Sequence, residues 1–233
     1  MKKTGLTLAL IGMIGFNNAM AHDVWLEQKQ GNYELVYGHV GELETLEPEK
    51  VRVIRGYSAD GQEMEISTTS GEASMLIKPA SNPGMITIDY DNGFWSKIGP
   101  SEWENRSKRH FPNYFEASHS LKFNKNILAW HESFSDPVGQ RLEITPMESP
   151  VKAAAKNNRV PLLVLHEGEP LADAVVEVHG FDGSFKTNGQ GYVSVPVNKD
   201  SSLQYIAVYH RYKMPGHLDA DVISLTANLV FHR

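Results

Sequence analysis

From residue 22 onward, apolar residues fall in short runs of about four to eight, broken at close intervals by Gly, Asn, Asp or Pro, a pattern that predicts strands rather than helices. In the first half the predicted strands are Val24–Glu27, Tyr33–Gly38, Val51–Tyr57, Glu63–Ser67, Ser74–Ile77 and Gly84–Tyr90, with an Asp-Gly hairpin signal in the "SADGQ" segment. In the second half they are Leu142–Thr145, Val160–His166, Ala174–Val178, Tyr192–Pro196, Leu203–Tyr212 and Val222–Phe231, the last two joined through the turn dipeptide Pro215-Gly216. The middle breaks the pattern. Between Phe94 and Trp130 the chain lacks alternation and is dense in charges and aromatics, which predicts an excursion with one helix over 113–122 and a strand from Asn126 to Trp130.

The expected fold class is therefore all-β, two Ig-like or transthyretin-like β-sandwich domains with a short helical, aromatic-rich insertion between them. Residues 22–145 form the expected N-terminal β domain, and 146–233 the C-terminal sandwich, entered through a Pro-, Ala- and Lys-rich linker at 146–158. The "HEGEPLADAVVEV" and "KTNGQGYVSV" phrases resemble the transthyretin-like and carboxypeptidase-regulatory-like sandwich, a likeness of fold alone.

Residues 1–21 read differently. Lys2 and Lys3, an apolar run from Leu6 to Phe16 and Ala19-Met20-Ala21 have the order of a secretory signal peptide, too short to span a bilayer of roughly 20 helical residues. Cleavage after Ala21 makes His22 the first residue of a periplasmic protein. The formal net charge is −6, and loss of the two leader lysines makes it more negative, which argues against nucleic-acid and anionic-membrane partners. No cysteine is present, so disulfides and thiolate ligands are excluded, and any transition metal must rely on the ten histidines, carboxylates, Met or backbone groups.

An N-terminal histidine offers its α-amine and its Nδ1 to one ion, and the amine, with an ordinary pKa near ~8, gives up its proton far more readily than a lysine. His39 is the second candidate. If the first two strands pair as a hairpin through "KQGN", the end of the second returns beside the start of the first, bringing His39 to His22. His210, His217 and His131 rank after these as metal ligands. His210 and His217 flank the last hairpin with Met214, whose thioether beside His217 suits Cu(I), although the three do not automatically form one cluster. His131 and His119 lie near the aromatic excursion, while His166 and His179 alternate with apolar residues and read as structural. Enzyme signatures are absent: no Cys nucleophile, no Gly-Xaa-Ser-Xaa-Gly elbow, no His-Glu-Xaa-Xaa-His helix and no phosphate-cradling glycine loop. The carboxylates Glu42, Glu44, Glu47 and Glu49 read as a solvated acidic run.

The opening "AHDVWLE", then "YGH", "NPGMITIDY", "KFNKN", "QRLEITPMESP", "LHEGEPLADAVVEV", "TNGQGYVSVPV" and "LTANLVF" resemble a periplasmic family of unknown-function proteins associated with nickel uptake. The resemblance implies a soluble partner of nickel or cobalt transporters of the energy-coupling-factor type, with a metal captured at the mature N-terminus. Carried over by position, the family's opening histidine falls on His22 and its Tyr-Xaa-His position on His39. Ni(II) is the expected ion and Co(II), Cu(II) and Zn(II) the alternatives, arriving free or as a small chelate and passing to a membrane component of the transporter. Two rivals stand beside this non-enzymatic reading: a copper-handling protein or copper oxygenase using a two-histidine brace, and an Ig-like interaction module in which the histidines are incidental.

Overall fold

The computed structural model describes residues 22–29 and 32–232, so the expected leader at 1–21 lies outside the described residues. In chain order the strands are β1 (Asp23–Lys29), β2 (Asn32–His39), β3 (Glu42–Glu44), β4 (Val51–Ser58), β5 (Glu63–Met64), β6 (Ile66–Ser70), β7 (Met75–Pro79), β8 (Pro83–Lys97), β9 (Trp103–Glu104), β10 (Glu116–Ile127), β11 (Leu142–Pro146), β12 (Arg159–His166), β13 (Glu169–Pro170), β14 (Val175–Val178), β15 (Phe185–Lys186), β16 (Tyr192–Pro196), β17 (Leu203–Lys213) and β18 (Val222–His232), and one α-helix, α1 (Pro150–Asn157), follows β11. The fold is all-β and sandwich-like. Among the described residues no helix is long and apolar enough to cross a membrane.

A nine-stranded sheet ordered β15-β14-β17-β18-β10-β8-β4-β5, with β9 beside β8, runs through the centre. Its middle joins both halves of the chain, because β10 pairs in parallel with β18 from Ser118↔Val222 to Ile127↔Phe231. The boundary expected at residue 146 therefore does not part the strands: 22–145 and 146–233 share one hydrogen-bonded sheet, and β11 pairs with β12 across that point. One face of the central sheet packs on the β11-β12-β13 sheet, with β16 beside β12. Leu142 and Ile144 of β11 and Val160, Leu162 and Val164 of β12 meet Val176, Ile206, Val208, Leu225 and Leu229 in this larger core.

The other layer, ordered β1-β2-β7-β6 with β3 beside β2, meets the central sheet differently. Both sides of the β1–β2 hairpin are buried: Val24, Leu26, Leu35 and Tyr37 against Ile86, Ile88 and Tyr90, and Trp25 and Val36 against Tyr205, Ala207 and Val230. The outer edge of β1 thus stands over β10. An edge strand turned inward leaves backbone groups without a neighbouring strand, and buried ones require partners. Side chains supply them: Leu26 N–H donates to Asn126 Oδ1 at 3.1 Å, and Asn228 Nδ2 donates to the Val24 carbonyl at 3.1 Å. Asn124 links the two, donating to Asn228 Oδ1 and accepting from Asn126 Nδ2. At the end of this seam Asp23 accepts from Tyr205 Oη at 2.6 Å and lies 3.9 Å from the Lys122 ammonium, both charged side chains being 2% exposed.

The helix expected over 113–122 is corrected by the structure. Glu116–Ile127 is strand, because Ala117, Leu121, Phe123 and Ile127 do alternate, but the intervening Lys122, Asn124 and Asn126 are buried in the polar seam instead of solvated. Polar residues on an inward face hide the two-residue period. The same strand reaches the opposite layer through Lys125, whose ammonium donates to Glu143 Oε1 at 2.6 Å with both side chains 1% exposed. The expected linker at 146–158 contains α1 instead, started by the Ser149 side chain accepting from Lys152 N–H and by Pro150 in the first turn, and ended at Asn158 with φ 55°.

Candidate metal centre

The hairpin register fixes the N-terminal histidine. Asp23 lies opposite Gly38 and Val24 opposite Tyr37, so one step further His22 comes to His39, and the ring centroids are 4.5 Å apart. Two imidazoles bound to one ion at about 90–110°, with metal–nitrogen bonds of about 2.1 Å, have centroids roughly 4.5–5.3 Å apart, so the observed spacing fits a shared ion. Gly38 makes the placement of His39 possible. Its φ is 135°, and a Cβ there would lie 2.5 Å from the Glu42 carbonyl oxygen of β3, which is what the Tyr-Gly-His sequence provides for.

β3 brings the third group. Glu44 pairs with Tyr37, and its Oε1 is 3.0 Å from His22 Nε2. A carboxylate only accepts, so its place beside Nε2 favours the neutral tautomer with the proton there and the lone pair on Nδ1. Nδ1 is the ring nitrogen that closes a chelate with the residue's own α-amine. Burial lowers the His22 pKa below 6.5, Glu44 pulling the other way and His39 adding to the lowering, so the ring is neutral at pH 7. Among the described residues no three His, Asp or Glu side chains are grouped to hold a metal unaided. The two-imidazole pair reaches a three-nitrogen set only with the amine that cleavage before His22 would free.

His22, Tyr37, Glu44, Thr45, Asn92 and Trp95 are among the residues lining an open cleft of about 420 Å³. The Tyr37 ring meets His22 edge-on at 5.6 Å, and burial pushes its hydroxyl up to about 12, so it stands neutral. Trp95 is fixed by its Nε1–H donating to the Asn92 carbonyl at 3.0 Å. The cleft is lined by the Tyr37 and Trp95 aromatics and by the Glu44 and Glu47 carboxylates.

Residues 19–202 match the family described as a domain of unknown function, DUF4198. The chain belongs to the DUF4198 family. An uncharacterised protein of Haemophilus influenzae is 29% identical over 175 residues, covering 74% of this chain and 74% of its own length. No solved structure matches. In this DUF4198 chain the family match contains His22, His39 and Glu44 and ends before His210 and His217.

The other candidate ligands are not brought to the pair. Along β17, Tyr205 and Ala207 face the N-terminal hairpin, whereas Ile206, Val208 and Tyr212 face the larger core, so His210 is on the far side of the central sheet from His22. His217 Nδ1 accepts from the Asp219 and Ala220 backbone N–H groups at 3.2 and 3.3 Å, and the ring stacks at 6.1 Å on Phe94, itself stacked on His119. His131 Nδ1 accepts from Ser133 N–H at 3.2 Å, capping a short 3-10 turn beside Phe134 of the larger core. In both rings the occupied Nδ1 leaves the proton on Nε2, a tautomer set by structure rather than by a metal. Glu44 is the residue that sequence reasoning passed over. Its signal was topological: a third short strand after "HVG" returns an acidic side chain to the Tyr37 face.

Proposed function

We propose that this protein captures a divalent late transition metal in the periplasm, Ni(II) first and Co(II) second, and passes it to a membrane transporter. The ion would be held by the His22 amine and Nδ1 together with His39. The observation that carries this reading is the 4.5 Å spacing of the His22 and His39 rings, beside which Glu44 lies 3.0 Å from His22 Nε2 and favours the tautomer that chelates through Nδ1, as carboxylates next to metal-ligating histidines do. The resemblance of the opening "AHDVWLE" and "YGH" to nickel-uptake proteins supplies the choice of metal. A second reading rests on the same three nitrogens: such a set binds Cu(II) more tightly than Ni(II) in general, and two histidines with an amine suit a copper centre.

The test is calorimetric titration of Ni(II), Cu(II) and Zn(II) into protein beginning at His22 and into protein carrying one extra residue before it. Loss of tight binding on extension supports amine ligation. Equal binding by both forms moves the site away from the N-terminus, and no binding by either leaves a non-metal interaction module. Turnover dependent on Cu(II) and a reductant would favour the copper enzyme.

A further inference from the structure

On the far side of the central sheet a second histidine pair repeats the geometry of the first. His166, at the end of β12 in the outer sheet, and His210, on β17 of the central sheet, have ring centroids 4.6 Å apart at an interplanar angle of 57°. The values for His22 and His39 are 4.5 Å and 58°. Tyr212 closes the cluster, 5.3 Å from His166 and 5.4 Å from His210. The rings come from two different layers of the sandwich. Unlike the Nδ1 atoms of His217 and His131, the Nε2 of His166 has no hydrogen-bond partner among the described residues, although it is shielded from solvent. A buried ring nitrogen left unpaired in a folded protein calls for a reason, and a lone pair kept for a ligand is one.

We propose that His166 and His210 form a second binding site for a divalent late transition-metal ion, bridging the outer sheet to the central sheet. The spacing is that of two imidazoles sharing one ion at about 90–110°. Both residues are partly exposed, although the His166 Nε2 itself is shielded, so an ion would enter from the partly exposed edge of the pair. Burial and the neighbouring His166 hold His210 neutral, the form that ligates. Arg141, the cation that contacts Tyr212, is paired with a carboxylate: Nε donates to Glu167 Oε1 at 3.1 Å, while the guanidinium lies over the Tyr212 ring and donates to its hydroxyl. Two imidazoles with water completing the shell suit Cu(II) best among common ions, with Zn(II) next. Because the ligands belong to two layers, binding at this site favours the folded chain.

The test is independent of the N-terminal centre. In a full-length mature chain carrying His22→Ala and His39→Ala, calorimetry with Cu(II) should show one remaining equivalent, and the melting temperature should rise as Cu(II) is added. Adding His166→Gln or His210→Gln should weaken that binding at least about tenfold and abolish the thermal shift, with circular dichroism checking that each variant is folded. In the unsubstituted protein, Cu(II) should broaden the ring resonances of His166 and His210, a readout needing no variant at this pair. Absence of Cu(II) binding in the His22→Ala, His39→Ala chain, binding that survives His166→Gln and His210→Gln, or ring resonances untouched by Cu(II) would overturn the proposal. None of these results bears on whether His22 binds metal.

Discussion

Replacing Asp23 by Asn strips the charge from the carboxylate that faces the Lys122 ammonium inside the seam under β1. Both side chains are 2% exposed and lie 3.9 Å apart. At that distance, and with an effective dielectric of ~20, the attraction is about 4 kcal/mol, in line with the roughly 3–5 kcal/mol lost when one partner of a buried pair is removed. Burial raises the Asp23 pKa and lowers that of Lys122, so either group left alone can neutralise; Lys122→Met should cost the less of the two because the protonated Asp23 carboxyl keeps its contact with Tyr205. The double variant Asp23→Asn, Lys122→Met should be more stable than Asp23→Asn alone. Urea unfolding of the four proteins measures this, with equal m-values required for the comparison; a loss of ~3–5 kcal/mol corresponds to a fall in melting temperature of roughly 6–20 °C for a chain of this size. A single Asp23→Asn variant within ~1 kcal/mol of the parent, or strict additivity in the double variant, would refute the view that this pair holds β1 in place.

Removing the outer partner of a metal-bound histidine typically costs about 10–100-fold in affinity; since Glu44 is half exposed, Glu44→Ala should weaken metal binding about tenfold with little change in stability, and nitrogen NMR should show His22 losing its fixed Nε2–H tautomer. Gly38→Ala should both destabilise the hairpin and reduce metal affinity, because the added methyl meets the Glu42 carbonyl; unchanged calorimetry would remove Gly38 from the site. Burial lowers the pKa values of His22 and His210 below 6.5, so in that window the unfolded chain binds protons that the folded chain does not; metal-free stability should be full above 6.5 and decline as pH falls through the lowered values, as read by urea unfolding across the range. Ser149→Ala removes the acceptor for Lys152 N–H and should cost about 1 kcal/mol in the same assay without affecting metal binding.

Much of the strand content was legible, from apolar positions alternating with polar ones in Val222–Phe231 and from a short continuous apolar run in Val160–His166. The N-terminal pair was legible too, since a hairpin of known ends dictates what lies across from what. Reading failed where burial and polarity coincide. Lys122 and Asn124 escaped a strand reading because nothing local announces that an inward-turned strand edge will bury such polar side chains against it. The nearness of His166 to His210 was not legible, because only the packing of one sheet on another brings the two together. The pairing of β10 with β18, which merges the two halves of the chain, joins segments about a hundred residues apart and leaves no mark on either segment alone.

The supports of β1 carry a consequence for timing. β1, which follows His22 directly, is made well before its anchors: Tyr205 to Asp23 and Asn228 to Val24 are 182 and 204 residues apart in sequence. A nascent or truncated chain therefore carries every proposed ligand of the His22 site without the geometry that would hold them together. Metal would be accepted only after the last strand has closed on the first, so that ion loading reports a completed fold, and a chain cut before β18 should pass the metal by although His22, His39 and Glu44 remain intact.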